Sequence, residues 1–581
     1  MKIYNWEILP NQKKSFSGFD ELNPLIWNLF RQLEIQNKKT AQSFLNPQLK
    51  NLISPCKLYN TQKAAIFLLD AIDKGKRIII HGDFDIDGIV STSILWDFLY
   101  RKLNARVLPL IPNRFDDGYG LSENTINKAK KQEADIIITV DCGIRDLDLI
   151  KQFPDIDFVI TDHHSLPENN NDELLILKQK NVKAVVHPYY PKHPYPFSSI
   201  AGATVAWKLI KQIETLAKET HNIQLEHFDS NQYIGLVALA TVGDIMPLID
   251  ENRIIVSQGL EYLKTTNNKI FKIICDETGI DQNKLSAYHF GFVIGPRLNA
   301  AGRMQDATDA LRLLCTQKEN EAREITKKLN NLNTQRQGLT TKLLKNAKDQ
   351  IKISQQNQKV LIVHGEKWPE GIIGLIAGKL QEEYYLPTIV ISTKQNIAKG
   401  SARSIKDYDI TQALARCQHL LIKFGGHSMA AGFELSTNNL DQFIAFMQQD
   451  TKKNISDNML TPTLQITKTL QLDNLNLDLV KTIDLFKPFG YKNPKPKFLF
   501  ENLDILSKRN FGHNNEYTEF KVSNKEKTTI IKALAFKRFE NIELLDTGSS
   551  IDLVATIELN TWKNQNQIQL HIVDFKIRNR I

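Results

Sequence analysis

Arg77-Ile78-Ile79-Ile80-His81-Gly82-Asp83-Phe84-Asp85-Ile86-Asp87-Gly88 changes character twice within one short stretch. Its β-branched run predicts a short strand buried on both faces, as in a parallel sheet. Gly82 and the alternating aspartates Asp83, Asp85 and Asp87 then form a turn, and from Ile89 to Arg101 the spacing becomes helical. Strand, acidic turn and helix in that order place carboxylates at the carboxyl end of a strand, where open α/β sheets bind ligands. Carboxylates held so close repel one another, so their natural counterpart is a cation. An isolated DxDxDG is as readily a solvated acidic turn. It also fits the start of an EF-hand calcium loop, but Ile94 stands where that loop needs Glu, and a strand rather than a helix precedes it. His81 adds an imidazole to the carboxylates, a mixed donor set that suits manganese or a similar divalent ion.

Outward from this stretch the pattern repeats. Ala105 to Pro112 predicts a second strand, followed by a turn-rich loop carrying Arg114 and a helix capped by Ser122. Residues 134–143 form another apolar run ending in Asp141, and Phe158–Thr161 ends in Asp162-His163-His164. A further strand spans Val182–Val186. Strands alternating with helices predict a doubly wound parallel sheet. A lone Asp or His at a strand end is usually structural; three strands delivering His81, Asp85, Asp87, Asp141, Asp162, His163 and His164 to one sheet edge are harder to explain that way. Asp244 closes the apolar run Gly235–Gly243, and beside the other donors it reads as a last metal carboxylate.

The chain has 581 residues, 42% hydrophobic and 24% charged, the make-up of a soluble globular protein of roughly three to four domains. No apolar run reaches membrane-span length, and the N-terminus lacks a signal-peptide core. Five scattered cysteines without a CxxC pair argue against a disulfide framework and a cysteine zinc site, and suit a reducing cytoplasm. Net charge of +9 is compatible with a polyanionic partner, although the general wealth of Lys weakens that inference.

HGDFDIDG, VDCG, the Asp-His-His triplet and VGDIMPL resemble the four motifs of DHH phosphoesterases. Within that superfamily the order of the motifs and those that follow are similar to the bacterial RecJ family, from about residue 50 to the C-terminus. The resemblance implies one cation on His81, Asp85 and Asp141 and a second on Asp87, Asp141, His163 and Asp244, with Asp141 bridging and His164 beside the scissile phosphate. Catalytic roles fall on His164, Asp141 and Arg297; that of Asp83 stays open. Gly295-Pro296-Arg297-Leu298-Asn299-Ala300-Ala301-Gly302-Arg303 resembles a family signature and reads as a Gly/Pro-rich loop whose Arg297 and Arg303 fork onto phosphate. Leucines and Ile325 at helical spacing mark a long amphipathic connector over residues 316–352.

A second α/β unit begins near Lys359 and carries Gly400-Ser401-Ala402-Arg403 and Phe424-Gly425-Gly426-His427, the latter matching the GGH motif of DHHA1 domains. The resemblance implies a terminal-phosphate pocket of Arg114, Arg297, Ser401 and Arg403, with Gly426 and His427 also on the substrate. Two departures stand out: Pro369 where the family has His after Trp368, and Lys492 where it prefers Gly. Alternating strands beyond the Pro-rich stretch 488–496 suggest a small β-barrel, an OB-fold by resemblance, in which Phe511, Tyr517, Phe520 and Trp562 are candidates to stack bases. The expected domains are a helical lead-in 1–75, a DHH domain 76–315, the connector 316–352, a DHHA1 domain 353–455 and an OB domain 456–581.

The leading expectation is therefore a two-metal (Mn2+ or Mg2+) phosphodiesterase that removes mononucleotides from the 5′ end of single-stranded DNA in repair and recombination. A narrow passage between the two α/β units would admit one strand and exclude a duplex. Single-strand-binding protein and a DNA helicase are implied as partners, with the chain acting as a monomer. Its rivals are a DHH phosphoesterase for oligoribonucleotides, cyclic dinucleotides or pyrophosphate, and a non-catalytic single-strand-binding scaffold. The added C-terminal barrel argues for a polymer, and the intact donor set argues against the scaffold.

Overall fold

Ile78–His81 forms the predicted strand, and all four of its residues are buried. In the computed structural model, which describes residues 4–11, 16–166, 180–220, 225, 228–354, 358–537, 539, 541–561 and 566–578, it sits inside a five-stranded, all-parallel sheet. From one edge the order is Val107–Leu110, Ile78–His81, Ile136–Val140, Asp157–Thr161 and Val182–Val186. The two halves are therefore wound in opposite directions from the first and third strands in sequence. Those two strands flank the switch point of a doubly wound sheet, the position at which such sheets bind ligands.

Contacts divide the chain into two units. One comprises residues 46–338 together with 488–493 and contains the parallel sheet. Helix Ile86–Trp96 runs away from the acidic turn and ends in a π-helical turn, Asp97–Lys102. Helices Gly202–Thr220 and Ile234–Gly243 pack beside it. The short return Pro488–Asn493 closes on itself through reciprocal backbone hydrogen bonds between Gly490 and Asn493, and Leu248 donates to the Tyr491 carbonyl.

The other unit comprises residues 1–45, 339–487 and 494–581. It holds a mixed five-stranded sheet in which only Leu361–Glu366 and Thr388–Lys394 run parallel; Ile397–Arg403, Ala430–Ser436 and Leu421–His427 complete it antiparallel. Its barrel is closed: Phe498–Phe511 pairs with Tyr517–Ser523 on one side and with Ser550–Asn560 on the other, through Ile530–Ala535 and Gln567–Arg578. The opening residues do more than lead in. Asn5–Ile8 pairs in parallel with Thr463–Ile466, and Trp6 Nε1 donates to Asp574 in the barrel at 2.7 Å.

The connecting helix spans Glu319–Ser354, and its residues divide between the two units after Gly338. Among the described residues no helix is long and apolar enough to cross a membrane. One local expectation is overturned. The segment expected as a loop around Arg297 is helical, Gly295–Met304, because Pro296 occupies its first turn, where the missing N–H is no loss, and four apolar or small residues beyond it are buried.

Candidate active site

The acidic turn is built on close approach of backbone to side chain. A Cβ on Gly82 would lie 2.0 Å from Thr92 Oγ1, and one on Gly88 within 2.4 to 2.6 Å of the Asp83 backbone, so only glycine lets the helix start where it does. Asp85 caps that helix, its Oδ1 accepting from the N–H groups of Asp87 (2.9 Å) and Gly88 (3.2 Å). Asp87 is wholly buried and accepts from Gly202 N–H at 2.6 Å and Ala203 N–H at 2.8 Å, the first amides of helix Gly202–Thr220.

Asp141 follows the third strand with φ of 62°, a left-handed backbone that costs a non-glycine residue about 1 kcal/mol or more. Its N–H still donates to Thr161 at 3.0 Å, so the parallel ladder holds the strained residue in place. Gly202 is the other constraint, since a Cβ there would lie 2.8 Å from both Cβ and Oδ1 of Asp141. His163 Nε2 lies 3.0 Å from Asp141 Oδ1 and 3.6 Å from carboxylate oxygens of Asp87 and Asp244.

Asp162 faces the other way. Its Oδ1 accepts from His163 N–H (2.7 Å), His164 N–H (3.1 Å) and His164 Nδ1–H (2.8 Å), and its Oδ2 from Ile144 N–H (3.0 Å). It orients the two histidines. His187 adds a brace: its Nδ1 accepts from Tyr189 N–H, so the proton sits on Nε2, which donates to the His164 carbonyl at 2.9 Å. The Tyr119 hydroxyl lies 3.0 Å from both ring nitrogens of His164.

Among the described residues three groups have donor atoms within 4.8 Å of one another: Asp87, His163 and Asp244; Asp141, His163 and His164; Asp83, Asp85 and Asp141. His81 falls in none of them; it is buried at the strand end with Cys142 Sγ 3.6 Å from its Nδ1. Buried atoms His81 Nε2, Asp83 Oδ1, Asp141 Oδ1, His163 Nε2 and Asp244 Oδ2 make no hydrogen bond among the described residues. So many unsatisfied buried acceptors would be costly if nothing else bound them. Adjacent donors on an octahedral ion with bonds of about 2.1 Å stand about 3 Å apart, and the His163–Asp141 separation has that value.

The electrostatics point the same way. Burial, then the neighbouring carboxylates, pushes Asp83, Asp141 and Asp244 well above the ordinary carboxylate range and Asp87 up to about 7. Burial brings His81 down to about 4, and burial with the adjacent His164 brings His163 down to about 3. Neutral imidazoles and repelling carboxylates at one point form a donor set that a divalent cation completes. For His164, burial opposes the charged form, but the hydrogen bond and charge of Asp162 outweigh it and raise its pKa.

The remaining sequence candidates make contacts of their own. Arg114 lies 4.9 Å over the ring of Phe84 in the acidic turn. Arg297 donates to Val293 O and Asn330 Oδ1, each at 2.6 Å. Its helix bears on the site: Asn299 Oδ1 accepts from Ile86 N–H at 2.7 Å, and a Cβ on Gly302 would lie 2.4 Å from Phe84 O. Arg303 is half-buried on the same helix. In the other unit Arg403 donates to Ser401 Oγ at 3.1 Å, and Gly374 leaves room for both side chains. Gly426 (φ 150°) and His427 end the edge strand. Pro369 precedes helix Glu370–Tyr384 at its N-cap, and Lys492 adopts φ of 61°. In the barrel Phe520 is core, Phe511 and Tyr517 are half-buried, and Trp562 lies outside the described residues.

Residues 77–241 match the pattern of the DHH family N-terminal domain, 357–453 the DHHA1 domain and 466–574 the RecJ OB domain. The single-stranded-DNA-specific exonuclease RecJ of Bacillus subtilis is 32% identical over 576 residues, covering 98% of this chain and 70% of that protein. The chain belongs to the RecJ family. The Mn2+ complex of RecJ from Thermus thermophilus has the same fold, with a TM-score of 0.80 at 23% identity over all of this chain and 80% of that one. A crystal structure of exonuclease RecJ bound to manganese is 28% identical, with a TM-score of 0.58 over 70% of this chain and 97% of that one. Sequence reading did not pick out Gly202, His187 or Tyr119, or give Asn299 a role, and of these only Asn299 lay in a segment already marked as a family signature.

Proposed function

We propose that this RecJ-family chain is a single-stranded-DNA-specific 5′→3′ exonuclease that hydrolyses phosphodiester bonds to 5′-mononucleotides with two divalent cations, Mn2+ or Mg2+. The observation that carries the reading is the convergence of five unsatisfied buried donor atoms, drawn from four separate segments, on the switch point of the sheet. His81, Asp85 and Asp141 would hold one cation and Asp87, Asp141, His163 and Asp244 the other. Asp83 is a further candidate, because it groups with Asp85 and Asp141. Bound there, divalent cations lower the pKa of a water and neutralise charge on the transferring phosphoryl group.

The protein's own groups do the rest. Asp162 holds the Nδ1 proton of His164, so proton exchange with the substrate runs through Nε2. Arg114, Arg297 and Arg303 serve phosphate oxygens, for which guanidinium is the suited donor. Ser401, Arg403, Gly426 and His427 serve the strand from the second sheet, and the barrel extends the binding track. The functional boundaries we propose are 76–315, 316–352, 353–455 and 456–581. We place the enzyme in the cytoplasm as a monomer, working with single-strand-binding protein and a helicase.

Digestion of a 5′-phosphorylated strand labelled at either end, beside a blunt duplex and a dinucleotide, tests this reading. Labelled mononucleotide should leave the 5′ end of the single strand first, with the duplex intact. Preferential loss of the dinucleotide, or release from the 3′ end, would overturn it.

A further inference from the structure

We infer that Tyr288 and Phe292 form a stacking step beside the metal-binding sheet edge, over which the nucleobases of the substrate strand pass. This rests on the single-strand reading above and adds to it the surface that reads bases rather than phosphates.

Phe292 is 71% exposed, the highest fraction for a large apolar side chain among the described residues, and Tyr288 is 63% exposed. Their rings stack on each other with centroids 5.1 Å apart and planes 22° from parallel. A single exposed aromatic needs no explanation, whereas a preassembled exposed pair next to a site does. Tyr288 lies in the short helical segment Ala287–His289 and Phe292 in the π-helical turn Phe290–Ile294 that follows, whose first and last residues are fully buried anchors.

That turn abuts the ligand-bearing segments. A Cβ on Gly291 would lie 3.6 Å from Val242 Cγ1, two residues before Asp244. One on Gly295 would lie 3.4 Å from Ile86 Cδ1, between Asp85 and Asp87. The exposed rings thus sit on a stretch, continued by Gly295, that packs against the segments carrying Asp85, Asp87 and Asp244. Ile245, the residue after Asp244, is likewise 69% exposed and keeps a left-handed φ of 57°. An unpaired base offers a π-face that a duplex hides, so such a surface favours a single strand without reading its sequence. A second copy of the chain or a protein partner would also cover apolar rings, and the test separates these occupants.

The full-length protein with Mn2+ would be given a 5′-phosphorylated oligothymidylate and the same strand with abasic residues near its 5′ end. Wild type should prefer the base-bearing strand by about tenfold in KM, the order of one stacked base. The double variant Tyr288→Ala/Phe292→Ala should lose that preference, with the loss falling on KM rather than kcat. Phe292→Trp should keep it, and its emission should be quenched by the thymidylate strand but not by the abasic one. If the double variant discriminates like wild type, or the Trp emission ignores both strands while they are being degraded, the stacking step is wrong and the exonuclease reading stands. If wild type degrades neither strand, both readings fall.

Discussion

Asp141 concentrates the cost of this site in one residue. It carries a left-handed backbone, a buried carboxylate and a contact with His163, and Gly202 leaves it no slack. Gly202→Ala should therefore act as a ligand-positioning mutation from a helix that supplies no ligand. Mn2+ affinity measured by calorimetry should fall about 10- to 100-fold, the usual effect of disturbing the support of a metal ligand, while circular dichroism stays native. Unchanged affinity would mean that Asp141 is not held by Gly202. Asp141→Ala should abolish cleavage in a folded protein, and retained nuclease activity would remove Asp141 from the chemistry. At Lys492 the strained backbone brings the ammonium only to 5.9 Å over the ring of Tyr491, a weak contact. Lys492→Gly should leave stability unchanged or raise it by up to about 1 kcal/mol in urea unfolding; a clear loss would show that the lysine side chain compensates for its backbone.

At the scale of elements, a buried ion pair stitches the helices behind the sheet. Lys208 Nζ bonds to Glu251 Oε1, both side chains about 1% exposed, and Glu251 also accepts from Ile53 N–H at 2.9 Å and Tyr195 OH at 2.8 Å. Such a satisfied network is costly to break from one side. Glu251→Ala should destabilise by about 3–5 kcal/mol, and Lys208→Met/Glu251→Leu should recover most of that in chemical unfolding. Equal losses in the single and double variants would contradict the pairing. None of this network was visible beforehand, because charged residues at helical spacing read as solvated faces. The strands and their terminal donors were legible, since apolar runs ending in Asp or His announce themselves locally. Gly202 was not: its importance arises from an approach to Asp141 and Asp87 across the sheet edge, and one more Ala-Gly-Ala in a helix start carries no signal. The Arg297 segment misled because Gly and Pro outweighed its helical apolar spacing, and the Asn5–Ile8 strand finds its partner only at Thr463–Ile466.

For the whole molecule, the crowded donors tie stability to pH and to metal. A carboxyl whose folded pKa stands above its unfolded value contributes stability while protonated, and loses it as pH rises through the folded value. Asp87 does so between its ordinary 3.8 and about 7, and Asp83, Asp141 and Asp244 shift in the same direction. His81 and His163, ordinarily near 6.5, have folded values lowered to about 4 and about 3, so they erode stability only as pH falls below 6.5. Above pH 6.5 the carboxylates and His164, whose folded pKa is raised, all shed stability as pH climbs. Chelated protein should therefore lose Tm from pH 6.5 to 8, and Mn2+ should raise Tm more at pH 8 than at pH 6.5. A chelated Tm that is flat or rising over that interval would contradict the described crowding.

The central claim is that remote segments meet to hold cations at the switch point of the parallel sheet. Anomalous diffraction at the manganese edge, from crystals grown with Mn2+, tests it directly. We predict two peaks, both against Asp141, with His163 and Asp244 on one of them. Peaks elsewhere, or none at the sheet edge, would contradict it.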